Sequence, residues 1–238
     1  MNRRFKRTNK PIEINRNMPY MTYLFLLICV AVYLYTLIRY RTTQNTLVLI
    51  ATGAKVNELM VFGNEWWRLI TAAFVHIGFE HILMNGISIY FIGSELEQIM
   101  GHWRFAILYL VSAIGGNILS FAFSPNVSAG ASTALFGTFA AFLVLAYLYP
   151  NYRYLTVRAR SFAMLLLINL IMGLFSTGID YWGHIGGAIY GVLITFVLGL
   201  PQKNDFPKRY KAIALLVIIG ISALLIWFGI QKVYANYR

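Results

Sequence analysis

The sequence predicts an all-α, polytopic membrane helix bundle, and three observations lead there. The 238 residues are 59% hydrophobic and only 12% charged, with a mean hydropathy of +0.64. A soluble domain of this size could not bury that much apolar surface. The apolar residues fall into seven runs, at about 20–38, 81–100, 104–123, 132–149, 161–177, 183–200 and 212–230, each near the ~17–25 residues that a spanning helix needs. Within hydrocarbon the backbone must satisfy its own hydrogen bonds, and a helix does this inside a single segment.

The first run follows a basic segment, residues 1–18, with no A-x-A-like site behind it, so no cleavable signal peptide is expected. The other long polar stretch, 39–67, reads as an outer loop lying partly in the interface, where Trp66 and Trp67 would settle. Pro125 and Asn126 close the third run, Pro150 and Asn151 the fourth, and Pro201 the sixth. The net charge of +12 does not point to nucleic acid, because the basic residues sit in the N-terminal segment and between apolar runs, as membrane topology requires. With the N-terminus in the cytoplasm, fourteen of the 20 Lys+Arg face inward. Arg39, Arg41, Lys55, Arg68, Lys232 and Arg238 then face outward, an asymmetry that favours this orientation. The absence of a transit peptide points to a plasma membrane. Cys29 is the single cysteine and lies inside the first run, so neither a disulfide framework nor a cysteine metal cluster is expected.

In that orientation the second, fourth and sixth runs begin at the outer face. His81 and Asn85, Ser132 and His184 sit near those three beginnings, at a similar depth. An unsatisfied polar group in hydrocarbon costs several kcal/mol, so these side chains should meet one another. Ser132 stands in Gly130-Ala131-Ser132-Thr133, at a helix N-terminus whose unpaired N–H groups and dipole would stabilise an oxyanion. Small-residue helix packing alone would also place a serine there. His184 is followed by Gly187 and Gly191 on its own face, a stripe that would let the helix press close enough for imidazole to reach a serine hydroxyl. Serine is a weak nucleophile until a base takes its proton, and histidine is the usual base. His81 and Asn85, at i and i+4, share a face and could aim two donors at the carbonyl oxygen under attack; as a polar pair they could instead hold helices together. Asp180, one turn before His184, falls in the outer loop, so a Ser–His dyad is expected rather than a triad.

From about Trp66 to Gly191 these residues resemble the rhomboid family of intramembrane serine proteases. Trp67-Arg68 is similar to the family's Trp-Arg element, and His76 with His81-Ile82-Leu83-Met84-Asn85 to its H-x-x-x-N helix and upstream histidine. Glu97 to Gly101 matches E-x-x-x-G, Gly130-Ala131-Ser132 the nucleophile motif, and His184 to Gly191 the pattern H-x-x-G-x-x-x-G. The family's usual Gly-x-Ser-Gly ends here in Thr133, which could narrow the pocket or shift the oxyanion geometry. The resemblance implies Ser132 as nucleophile, His184 as general base, and His81, Asn85 and the Ser132 N–H as oxyanion donors. It implies structural support from Trp67, Arg68, Glu97, Gly101, Gly130, Gly187 and Gly191, without cofactor or metal.

The expected organisation is a basic cytoplasmic tail at 1–18, a six-helix rhomboid-like core at 19–200, and a basic loop, seventh span and short tail at 201–238. The expected partners are the lipid bilayer and single-pass transmembrane substrates, cut near the outer membrane face. A catalytically inactive rhomboid-like protein that binds membrane clients is the competing class. A transporter would need paired ionisable groups near the midplane and repeated halves, and only Asn169 in the fifth run is noticeably polar at mid-span.

Overall fold

A computed structural model describes residues 18–176, 178–201 and 207–237. The expected cytoplasmic tail and Lys203 lie outside the described residues, apart from Met18. Among the described residues the architecture is all-α, with an isolated antiparallel bridge between Lys55 and Ser128. The order is α1 (Tyr20–Tyr40), α2 (Thr46–Ala51), α3 (Asn57–Val61), α4 (Arg68–Thr71), a 3-10 turn at Ala72–Phe74 and α5 (Gly78–Ser88). A π-helical turn at Ile89–Gly93 leads into α6 (Ser94–Met100), followed by α7 (His102–Phe123), α8 (Ser132–Leu148), α9 (Arg153–Phe175), α10 (Tyr181–Leu198) and α11 (Lys208–Asn236). Helices α1, α7, α9, α10 and α11 are long and apolar enough to cross a membrane. The segments 68–74 and 78–100 form a pair bent by 94°, and α8 is a shorter apolar helix. The chain is a multi-pass membrane helix bundle, and its seven apolar segments follow the expected order.

Two boundaries and one segment differ from expectation. Helix α9 begins at Arg153 rather than 161, and α11 runs from Lys208 to Asn236 rather than 212–230. Charged residues at a span's end read as loop, yet Arg158 pairs with Glu95 and lies over the Phe162 ring at 4.9 Å, so its stem stays on the helix. Residues 39–67, expected as a loop, are partly helical. They contain α2 and α3, and bury Lys55 and Asn57 completely or nearly so. Asn57 Nδ2 donates to Phe121 O at 3.1 Å and Ser124 O at 3.0 Å, and Trp66 packs edge-on to Phe121. Arg68 donates to Ile50 O at 2.8 Å and Ala54 O at 2.7 Å, pairs with Glu65, and lies 4.5 Å from the Trp67 ring. The Trp-Arg element therefore braces this cap from within, joining α4 to Ile50, Ala54 and Glu65.

Helix α7 forms the centre, packed by α8, α10 and α11. Its inner end is organised by Glu97. Helix α1 has no side-chain cap of its own at Pro19. Glu97 supplies one from α6, accepting from Met21 N at 3.0 Å, Thr22 N at 2.7 Å and Thr22 Oγ1 at 2.6 Å, while His102 Nδ1 meets its other side at 2.5 Å. A carboxylate is well suited to orphan N–H groups at a helix start. Gly101, at φ +83, makes the tight turn from α6 into α7 and donates its N–H to Glu97 O at 2.7 Å. The four-residue spacing of that motif is the length of one helix end and its left-handed terminator.

Glu97→Gln should lower thermal stability, because an amide NH2 would face donors where a carboxylate accepted four bonds. The expected loss is about 1–3 kcal/mol, read as a drop in Tm of the purified protein. Any activity remaining per folded molecule should be unchanged, since Glu97 lies 16 residues, roughly 24 Å, along the helix from His81.

Candidate active site

Three helix beginnings converge on one cavity of about 1270 Å³, lined by His81, Asn85, Ser132 and His184 among others. Ser132 is the first residue of α8, and Ala131 is its cap. The first intrahelical bond runs from Leu135 N–H to Ala131 O at 3.0 Å. The N–H groups of Ser132, Thr133 and Ala134 precede it and carry the positive end of the helix dipole. His184 sits one turn into α10. Its Nε2 is 2.9 Å from Ser132 Oγ. With Nε2 accepting the hydroxyl proton, Nδ1 carries the ring N–H, and among the described residues it meets no hydrogen-bond partner.

Among the described residues no carboxylate is hydrogen-bonded to this imidazole. Asp180 instead caps α10, accepting from Gly183 N at 2.9 Å and from Ser128 Oγ. The ring is held by stacking on Phe136, with centroids 4.0 Å apart and planes at 14°. Phe136 lies one turn after Ser132 on the same helix, so α8 supplies both the hydroxyl and the surface that aligns the imidazole. No role for Phe136 is expected from the motifs; its i+4 spacing from Ser132 is the signal that could have found it.

Glycines set the approach of α10 to α8. A Cβ on Gly187 would lie 2.0 Å from Thr133 O, and one on Gly191 would lie 2.4 Å from the Gly137 Cα. Backbone therefore rests on backbone, as the glycine stripe suggested. Gly130 is needed for a different reason. Its φ is +137, its N–H donates to Ala72 O at 2.9 Å, and a Cβ there would lie 2.6 Å from His81 Cε1. The Thr133 side chain does not project between His184 and Ser132. It packs toward α7 and α10, where a Cβ on Gly116 would come within 2.7 Å of it and one on Gly183 within 3.1 Å.

His81 and Asn85 both face the cavity, as their spacing predicted. Ile77 N–H points at His81 Nδ1 at 3.5 Å, which leaves Nε2 as the N–H-bearing nitrogen, beside Gly130. Asn85 Nδ2 spends one of its two hydrogens on His81 O, at 3.0 Å. His76 completes the wall: its Nε2 faces Ala131 N–H at 3.4 Å, its Nδ1 faces Phe74 O at 3.2 Å, and its ring meets His81 edge-on at 5.2 Å. This histidine ties the loop before Ser132 to the turn before α5.

The Rhomboid domain profile matches residues 63–201, more than half of the chain and the whole of this site. The chain belongs to the rhomboid family. It is 37% identical over 214 residues to Rhomboid protease GluP of Bacillus subtilis (strain 168), covering 90% of this chain and 41% of that protein. It is 38% identical over 173 residues to RHOMBOID-like protein 1 of Arabidopsis thaliana, covering 69% of this chain and 43% of that one. Against RHOMBOID-like protein 6, mitochondrial, of the same plant it is 40% identical over 160 residues, covering 66% and 51%. The chain thus spans about half or less of the length of these rhomboid relatives.

Gly187→Val should separate α10 from α8, since even its Cβ would collide with Thr133 O. A displacement of about 1 Å between reacting groups can cost roughly 10²-fold in rate. Any peptidase rate should therefore be at least that much lower in the variant, with Ser132 and His184 both intact and Tm reduced, measured on folded protein from size-exclusion chromatography.

Proposed function

We propose that this chain is an intramembrane serine endopeptidase that cleaves transmembrane-helix substrates near the outer membrane face through a Ser132–His184 dyad. The observation that carries the reading is the 2.9 Å contact between His184 Nε2 and Ser132 Oγ on the wall of a cavity inside an apolar bundle. His184 Nε2 takes the hydroxyl proton as Ser132 Oγ attacks the scissile carbonyl carbon. The oxygen that gains charge faces the Ser132 N–H, His81 Nε2–H and the free Asn85 N–H. His184 then returns the proton to the leaving amine, and water hydrolyses the acyl-enzyme by the same steps in reverse order. A substrate helix hides its carbonyls in its own hydrogen bonds, so it must unwind locally to be cut.

The charge asymmetry of the sequence supports an N-terminus in the cytoplasm and a site opening to the extracellular side of what we take to be a plasma membrane. Single-pass membrane proteins are the proposed substrates, and no nucleic acid, metal or cofactor takes part in the scheme. A catalytically inactive relative that binds membrane clients is the competing reading, and one assay separates the two. Purified protein in detergent should release a fragment from a tagged single-span substrate. Ser132→Ala and His184→Ala should each abolish it while leaving Tm unchanged, and the double variant should be no worse than either single one. Intact substrate with wild-type protein, or substantial cleavage by either variant, overturns the assignment.

The oxyanion donors should be unequal. His81→Ala should lower kcat by roughly 10²–10³-fold, the usual effect of removing one such donor. Asn85→Ala should lower it less, because one Asn85 hydrogen is already engaged by His81 O. A rise in KM at constant kcat in either variant would instead mark a substrate-binding or packing group.

A further inference from the structure

Upstream of the dyad lies a second contact between the same two segments. Ser128 Oγ donates to Asp180 Oδ2. Ser128 is four residues before Ser132, and Asp180 is four residues before His184, so this bond repeats the dyad contact one step earlier on both segments. Between Ser128 and Ser132 the chain is not helical, and it contains Gly130 at φ +137. A glycine pivot there leaves the position of Ser132 dependent on what fixes the chain ahead of it.

Lys55 fixes it. Its N–H donates to Ser128 O at 2.8 Å, and its carbonyl accepts from Ser128 N–H at 3.2 Å. Its side chain is fully buried, and Nζ donates to Ser120 Oγ and to Ser124 O, each at 3.1 Å, at the C-terminal end of α7 where the helix dipole is negative. The charged groups facing the ammonium are Asp180 at the start of α10, Glu58 of α3 and Lys232 of α11. Arg68, bonded to the neighbouring Ala54 O, is already paired with Glu65. Asp180 is the stronger of the two attractive charges, and it is the residue that caps the His184 helix.

We propose that Lys55, Ser128 and Asp180 form a positioning clamp that holds the Ser132 hydroxyl and the His184 imidazole in register, with the Lys55 ammonium as its cationic member. The proposal rests on the protease reading above. Lys55 touches no reacting atom; it acts through Ser128 and Asp180.

Burial pushes the Lys55 ammonium down from 10.5 to about 8, opposed by the Asp180 and Glu58 charges and assisted by Lys232. The clamp therefore loses its charge within an accessible pH range. Between about 8 and 10.5 the unfolded chain binds a proton here that the folded chain does not, so this group makes the fold more stable as pH rises. Loss of clamp charge and loss of fold thus run in opposite directions with pH. A purely structural lysine would show no such opposition.

The test is the pH profile of single-span substrate cleavage by the full-length protein in detergent, with Tm recorded at each pH. Wild-type kcat should fall about 10-fold or more above pH ~8 without a matching fall in Tm. Lys55→Met should be slow at all pH values and lack this alkaline limb, Lys55→Arg should restore rate and carry activity to higher pH, and Ser128→Ala should lower kcat at unchanged KM. A Lys55→Met enzyme with wild-type rate and wild-type limb overturns the clamp. So does a wild-type profile flat from pH 7 to 10, which decides the matter even if the variants fail to fold. Absence of cleavage by the wild type at every pH is a different failure: it overturns the protease reading, and the clamp falls with it.

Discussion

Everything at this site depends on how closely α10 can lie against α8. The two backbones touch at Gly187 against Thr133 and at Gly191 against Gly137, with no room for a Cβ at either place. In lipid there is little hydrophobic force to drive helices together, so close van der Waals packing and interhelical polar contacts must do it. Only at that separation does His184 Nε2 come within 2.9 Å of Ser132 Oγ. The small residues and the polar pair are therefore one device: the glycines permit the approach, and the approach places the hydroxyl against the imidazole.

The second constraint is that the His184 imidazole, with no carboxylate hydrogen-bonded to it among the described residues, must still be oriented. Phe136 supplies a face for the His184 ring, and Asp180 spends its carboxylate on holding the helix that carries His184. The charged group that a serine hydrolase often places behind its histidine is here placed behind the helix instead. This keeps a carboxylate charge out of contact with the imidazole in the apolar interior, where an ion pair has to offset a large desolvation cost. The cap built from α2 and α3 is tied to the end of α7 by the Asn57 amide and is braced internally by Arg68, which donates to Ile50 O and Ala54 O.

Much of this was legible in the sequence because the bilayer makes composition speak for structure. Seven apolar runs became seven apolar segments in the expected order, and the four polar residues near the outer ends line one cavity. Spacing was enough to place His81 with Asn85, and the glycine stripe was enough to foresee the α8–α10 contact. What escaped was of two kinds. Charged residues at helix ends read as loop, which moved the start of α9 from Arg153 to 161 and hid the pairing of Arg158 with Glu95. Polar residues of 39–67 read as solvent-facing, because nothing local distinguishes Lys55 or Asn57 from an exposed residue. Their burial is decided by the free carbonyls at the end of α7, more than sixty residues away in sequence.

The most direct measurement of the central claim is mass spectrometry of the purified protein after reaction with a fluorophosphonate, which modifies serine only when a base activates it. The Ser132–His184 account predicts a single adduct on Ser132, absent in His184→Ala and retained in Glu97→Gln. An adduct on another serine, or undiminished labelling of Ser132 in His184→Ala, would contradict it.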